Sequence, residues 1–220
     1  TATDNYVLTV DSNGEAGWEA ASSGTSSDGN GNIFSAGAGG DGNGTYNTSI
    51  GDQSGNALTN GSSYNVSLGY AAGKSMTSAD FNVCLGLSAG RNITTGSDNL
   101  ALGRYALYGT VTSAYNIGLG YSTLYYLSSG QDNVAIGQEA GYRTTTGNYN
   151  VCIGRKAGKQ IVDGDNNICI GKALYHSSNS FNGDNGIFIG AGCYNYVATG
   201  TITNIAISSQ AAESCTTGVE

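Results

Sequence analysis

The chain is dominated by a five-residue pattern in which a polar residue leads an aliphatic–small–aliphatic alternation that stops at glycine. Asn65-Val66-Ser67-Leu68-Gly69 is followed by Asn82-Val83-Cys84-Leu85-Gly86 and Asn99-Leu100-Ala101-Leu102-Gly103. The series runs on through Asn116-Ile117-Gly118-Leu119-Gly120, Asn133-Val134-Ala135-Ile136-Gly137, Asn150-Val151-Cys152-Ile153-Gly154 and Asn167-Ile168-Cys169-Ile170-Gly171, each step being 17 residues. Weaker copies flank it, at Asn47-Thr48-Ser49-Ile50-Gly51, Ile187-Phe188-Ile189-Gly190 and Asn204-Ile205-Ala206-Ile207. A strict internal period of this kind is the signature of a stacked repeat.

Each place in the unit, counted from its Asn, has a physical reading. Period-two alternation predicts a short β-strand with the second and fourth residues on one face. The third place holds only Ser, Cys, Ala or Gly, which predicts that another surface approaches the opposite face closely. Glycine in fifth place ends the strand where a Cβ would obstruct a turn. Asparagine in first place suits a bend, since it tolerates left-handed backbone angles. Set at one height, Asn65, Asn82, Asn99, Asn116, Asn133, Asn150 and Asn167 can also form an amide ladder along the axis.

The remainder of the unit predicts a second, shorter strand. Ala72, Ala89, Ala106, Ala140 and Ala157 share the eighth place, and Met76, Ile93, Leu127 and Ile161 share the twelfth. Gly96, Gly130, Gly147 and Gly164 share the fifteenth and begin the return turn. The expected fold is therefore all-β, a parallel β-solenoid or β-roll with two short strands per 17-residue coil. About nine or ten such coils, at roughly 4.8 Å each, would make a rod of roughly 45 Å. Sheets only about 10 Å apart enclose few side chains, so one face needs covering. The small third-place row is the expected chain-to-chain contact in a symmetric homo-oligomer, preferably a trimer.

Outside the array, Tyr6 to Trp18 reads as a strand, an Asn13-Gly14 turn and a second strand, an N-terminal β-hairpin. The expected organisation is a hairpin or connector over 1–23, a Gly-rich linker or irregular first coil over 24–46, the solenoid over 47–208 and a tail over 209–220.

Composition narrows the class further. Among 220 residues there are 36 Gly and no Pro, too much glycine for a helical bundle and no proline for collagen. Hydrophobic residues make up 39% of the chain and sit in ordered runs, which argues against disorder. No apolar stretch approaches the roughly 20 residues of a membrane-spanning helix, and no signal-peptide pattern is visible. A chain opening at Thr1 is expected to be a mature or excised segment. The net charge of −8 argues against nucleic-acid binding, which needs clustered Lys and Arg. Five Cys without a CxxC pair make a poor disulfide or zinc framework and read as buried free thiols.

The Asn-Val-Ala-Ile-Gly-x-x-Ala unit resembles the head repeats of trimeric autotransporter adhesins, left-handed parallel β-rolls in threefold bundles, although those repeats are usually shorter. Asn133 to Tyr142, with Thr144-Thr145-Thr146-Gly147 after them, is similar to repeats of bacteriophage tail-fibre proteins. The stretch Asp4 to Glu19, with Val7-Leu8-Thr9 and Trp18, is similar to a short connector found along such fibres. The likeness covers residues 43–208, and it implies a structural attachment fibre on a virion. The alternative it implies is an extracellular or cell-surface adhesin. Phage fibres often carry a C-terminal chaperone that is cut away after assembly, and nothing from Ser208 to Glu220 looks like one.

Chemistry-bearing patterns are sparse, and no enzymatic activity, cofactor or metal is expected. Gly37 to Gly42 matches GxGxxG, but no strand-to-helix context supports a phosphate cradle. Asp28-x-Asn30-x-Asn32 and Asp163-x-Asp165-x-Asn167 match the opening of a calcium loop without its Gly or Glu. His176, the only histidine, has no evident nucleophile or orienting acid. Within the seven strict units Glu139 alone among the acids lies in the turn after the strand, a poor match to paired carboxylates. The threonines are too patchy for an ice-binding face. Basic residues from Lys74 to Lys172 fall after the strand, while Asp80, Asp98, Asp132, Asp163, Asp165 and Asp184 fall near the opposite turn. These edges are expected to meet between neighbouring chains. Tyr108, Tyr125 and Tyr142 lie one unit apart, with Tyr175 near the same row, and are candidate contacts for a cell-surface glycan. A second row, Tyr64, Tyr115 and Tyr149, precedes the repeat Asn.

Overall fold

The computed structural model describes residues 44–58, 61–172 and 182–191, together with the strands at 6–10, 16–20, 26–27, 33–34 and 205–207. Strands β1 (Tyr6–Val10) and β2 (Ala16–Ala20) pair antiparallel, Tyr6 opposite Ala20 and Val10 opposite Ala16. The expected Asn13-Gly14 turn lies outside the described residues. Strand β3 (Ser26–Ser27) pairs antiparallel with β4 (Ile33–Phe34), and β4 pairs parallel with β5 (Thr48–Ile50). The repeat motifs then supply β6 (Val66–Leu68), β7 (Val83–Leu85), β8 (Leu100–Leu102), β9 (Ile117–Leu119) and β10 (Val134–Ile136). They continue with β11 (Val151–Ile153), β12 (Ile168–Ile170), β13 (Ile187–Ile189) and β14 (Ile205–Ile207). From β5 to β13 this is a parallel β-solenoid of about eight turns, with no helix among the described residues.

Register is strict: Val134 lies opposite Val151, Ala135 opposite Cys152 and Ile136 opposite Ile153, so like residues stack on like. The coil differs from the expected one in having a single strand. Apart from isolated bridges at Ile161 and Asp184, the described residues in places six to seventeen lie in turns, bends and irregular backbone. The twelfth-place Met76, Ile93, Leu127 and Ile161 are buried all the same, because the turn aims them inward. That wall is held by separate coil-to-coil bonds such as Thr77 N–H to Thr94 O (2.9 Å) and Ser128 N–H to Thr145 O (2.9 Å). The twelfth-place amide instead folds back to close a turn, as in Ile93 N–H to Gly90 O at 3.1 Å, so no strand ladder forms.

The second correction concerns which face of the strand is inside. The small third-place residues point into the lumen, where Ser67, Cys84, Ala101, Ala135, Cys152 and Cys169 are all buried. The aliphatic second and fourth places point outward and are half-buried or exposed, as in Leu119 at 41%. The cause is width. The lumen already holds the eighth-place alanines, the twelfth-place aliphatic and the Asn file, leaving room for only a small side chain from the strand. Where the neighbours grow, the row shrinks: a Cβ on Gly118 would lie 2.2 Å from Leu107 Cδ1, and Leu107 stands where most coils have Gly. At β13 the reverse holds, since Phe188 is buried in third place while Gly186 replaces the Asn. A Cβ there would lie 2.4 Å from the Phe188 ring.

The Asn file is a continuous buried ladder. Asn82 donates from its backbone N and its Nδ2 to Asn65 Oδ1 (2.9 and 3.1 Å), and its Nδ2 also reaches Gly96 O at 2.9 Å. The pattern repeats from Asn116 to Asn99, Asn133 to Asn116, Asn150 to Asn133 and Asn167 to Asn150. It ends where Gly186 N–H meets Asn167 Oδ1 at 2.9 Å. All seven repeat asparagines are buried, and a buried primary amide is tolerable only when so partnered. The left-handed residue of this bend is the one before each Asn, not the Asn itself: Tyr64, Phe81, Asp98, Tyr115, Asp132 and Tyr149 have φ of 56 to 62°. This geometry turns their amides toward the preceding coil, as in Tyr149 N–H to Gln131 O at 3.0 Å. The fifth-place glycine has no substitute. Gly137 has φ 119°, and a Cβ there would lie 2.8 Å from the Gly154 backbone one coil on.

Candidate functional site

Two surface features stand out against this scaffold. The first is the outward face of the strands, where Val, Leu and Ile from β6 to β13 form an unbroken apolar stripe two residues wide in the single chain. It is flanked by sorted charge. Lys74, Arg91, Arg104, Arg155 and Lys156 follow the strand, whereas Asp80, Asp98, Asp132 and Asp165 precede it.

The second feature is a tyrosine edge on the turn after the strand, over the coils from Asn99 to Tyr149. The tenth-place Tyr108, Tyr125 and Tyr142 stack face to face, with centroids 4.9 and 5.2 Å apart and interplanar angles of 11° and 22°. Cations of the flanking coils close the stack: Arg91 sits 5.8 Å from the Tyr108 centroid and Lys159 4.7 Å from that of Tyr142. Such contacts contribute about 0.5–1 kcal/mol each at exposed sites. The three candidate glycan residues are thus brought together, but they present ring edges and hydroxyls, because their faces lie against each other. Burial, together with Tyr108, Tyr126, Tyr105 and Tyr121 nearby, raises the Tyr125 pKa. Tyr142 is pushed up to about 12, first by burial, then by its hydrogen bond with Tyr126.

Around the stack stand rings that the periodic reading does not pick out. Tyr105 packs edge-on to Tyr108 (5.5 Å) and Tyr125 (6.3 Å), and Tyr126 packs edge-on to Tyr125 (4.9 Å) and Tyr142 (5.2 Å). Arg104 lies 4.9 Å from the Tyr105 centroid and 5.3 Å from that of Tyr121. The only sequence signal for Tyr105 and Tyr121 is their near-period spacing, 16 residues instead of 17. Tyr105, Tyr121, Tyr125 and Tyr142 line a cleft of about 200 Å³ together with Ser122 and with Glu139 and Lys159, which form a salt bridge.

The other row behaves differently. Tyr64 stacks between Tyr46 (5.2 Å) and Phe81 (4.8 Å), while Tyr115 and Tyr149 are exposed farther along the same edge.

The remaining candidates yield no site. Asp165 accepts Asn148 N–H (2.7 Å) and Nδ2 (3.0 Å), and Asn167 is held in the interior file, so the calcium-like spacing there serves coil stacking. No cluster of three metal-ligating side chains occurs among the described residues. Cys84, Cys152 and Cys169 are buried, and burial raises Cys84 to about 12. His176, Tyr175, Gly37 to Gly42 and Asp28 to Asn32 lie outside the described residues. No described helix is long and apolar enough to cross a membrane. Compared with protein families, curated proteins and solved structures, the chain finds no match.

Proposed function

We propose that this chain is a structural subunit of an oligomeric attachment fibre, the shaft or head of a phage tail fibre that holds a virion to its host surface. The observation that carries the reading is the apolar stripe. A continuous outward row of Val, Leu and Ile on an in-register sheet is the kind of contiguous apolar patch that marks an interaction surface. Copies of the same chain are its natural cover, since a symmetric interface joins identical repeats at identical heights. Three copies with their strands toward a common axis would set the basic edge of each beside the acidic edge of the next. Complementary edges of this kind fix rotational register more than they add affinity.

The N-terminal strands would form the hairpin connector, and the tyrosine edge would point away from the axis, toward a cell-surface glycan. The role is structural, without catalysis, nucleic-acid binding or membrane insertion. The same packing would serve a cellular adhesin of the autotransporter type, the reading favoured by the Asn-Val-Ala-Ile-Gly unit itself.

Sedimentation equilibrium at micromolar concentration tests the proposal. A mass three times that of the chain is expected, falling to the single-chain mass when Ile136→Lys and Ile153→Lys place charge on the stripe. A single-chain mass for the unaltered protein would overturn it.

A further inference from the structure

The turns after the strand depart from the rest of the array over three neighbouring coils. The ninth position is Gly in most coils but Leu107 and Leu124 in two neighbours, and the tenth changes there from Lys74 and Arg91 to Tyr108, Tyr125 and Tyr142. The seventh changes from Ala71 and Ser88 to Tyr105 and Glu139, while Tyr121 occupies the sixth place as Tyr70 does three coils earlier. None of these changes is needed to build a coil, because adjacent coils close without them. Local departures from an otherwise consistent pattern are where function is expected. Here they converge on one cleft of about 200 Å³.

We infer that this cleft is a binding site for one neutral pyranose ring of a surface polysaccharide. Its walls supply ring surface for the C–H face of a sugar, notably from Tyr121, which is 42% exposed and lines the cleft beside Tyr105. Its lining also supplies hydroxyl partners: the Glu139 carboxylate accepts, the Lys159 ammonium donates, and the Tyr142 hydroxyl does either. Glu139 and Lys159 compensate each other's charge, so the pair offers hydrogen bonds to a polyol without a net charge to attract an ion. A charged ligand would have to break that pair; a neutral one need only share it. Arg104, over both Tyr105 and Tyr121, holds the rings in place. The stacked Tyr108, Tyr125 and Tyr142 are then the rigid backing of the site, and their faces are not its contact surface.

The inference deepens the attachment-fibre reading and takes its biological setting from it, although the chemistry of the cleft stands without it. Saturation-transfer NMR on the full chain, with methyl glycosides of glucose, galactose, mannose and N-acetylglucosamine as probes, is the test. Transfer to the ring protons of at least one glycoside is expected. It should fall at least fivefold in Tyr121→Gln and in Glu139→Ser, which install residues the array already carries at those places in Gln138 and Ser122. Tyr64→Gln, in the other aromatic row, should leave it unchanged. Absence of transfer to all four probes, undiminished transfer in both cleft variants, or equal loss in Tyr64→Gln would each overturn the site. Binding by a protein of single-chain mass would sink the fibre reading and leave the site standing, whereas a trimer without binding would do the reverse.

Discussion

The two walls of the coil are built under opposite constraints. On the strand wall, places one to five of seven successive units hold the same residue types at the same heights, and each is fixed by the coil above or below. Asn116 is bonded to Asn99, Ala135 is enclosed by the lumen, and Gly137 presses on Gly154. On the turn wall, the sixth, tenth and eleventh places vary from Lys74 to Tyr108 to Gln160 without changing the path of the chain. A repeat protein is uniform where backbone meets backbone and free to diverge where side chains meet solvent. Its distinctive chemistry is therefore expected on the turn wall.

Substitutions that cross this divide should rank accordingly, measured by denaturant unfolding at one protein concentration. Gly137→Ala is expected to be the worst, losing about 3–4 kcal/mol, because the methyl group meets backbone and the φ is hostile to any side chain. Asn116→Ala follows at about 2–3 kcal/mol, since it orphans the buried amides on either side. Ala135→Leu should lose about 2 kcal/mol by overfilling the lumen. On the turn wall Tyr125→Ala should lose only about 1 kcal/mol, the worth of a stacked ring. If Tyr125→Ala proved as damaging as Asn116→Ala, the division between the walls would be wrong.

The smallest effect is one of pH. Tyr142 titrates at about 12 in the folded chain against an ordinary value of 10. The folded state thus keeps its proton longer than the unfolded one, and stability should be full below pH 10 and decline from pH 10 to 12. Tyr142→Phe should flatten that decline.

Much of this architecture is legible in the residues, for reasons that also mark the limit. The period, the strand and the ladder follow from Asn, aliphatic and Gly at fixed spacing, because those types satisfy backbone demands that recur in every coil. Alternation says that a strand has two unlike faces, but it does not say which is inside. Burying the aliphatic row is the natural expectation, and it fails because the space opposite is already taken by Met76, Ile93, Leu127 and their alanine neighbours. The second strand fails because the twelfth-place amides close turns, as Ile93 N–H does on Gly90 O and Leu127 N–H on Leu124 O, which the spacing of aliphatic residues does not reveal. At the tyrosine edge the Tyr108, Tyr125 and Tyr142 row is visible by period. Tyr105 and Tyr121 are not, since they reach the same cleft from different places in the unit.

The claim on which all this turns is that the third-place row lies inside the coil and the aliphatic row outside. Thiol labelling in native buffer, mapped to peptides, tests it when run on the unaltered protein and on the Ile136→Lys, Ile153→Lys chain, with circular dichroism confirming that both are folded. Cys84, Cys152 and Cys169 should stay unlabelled in both, because the coil itself encloses them. Labelling of these three in the folded charged variant, as fast as in denaturant, would put the small row on the surface and contradict the account.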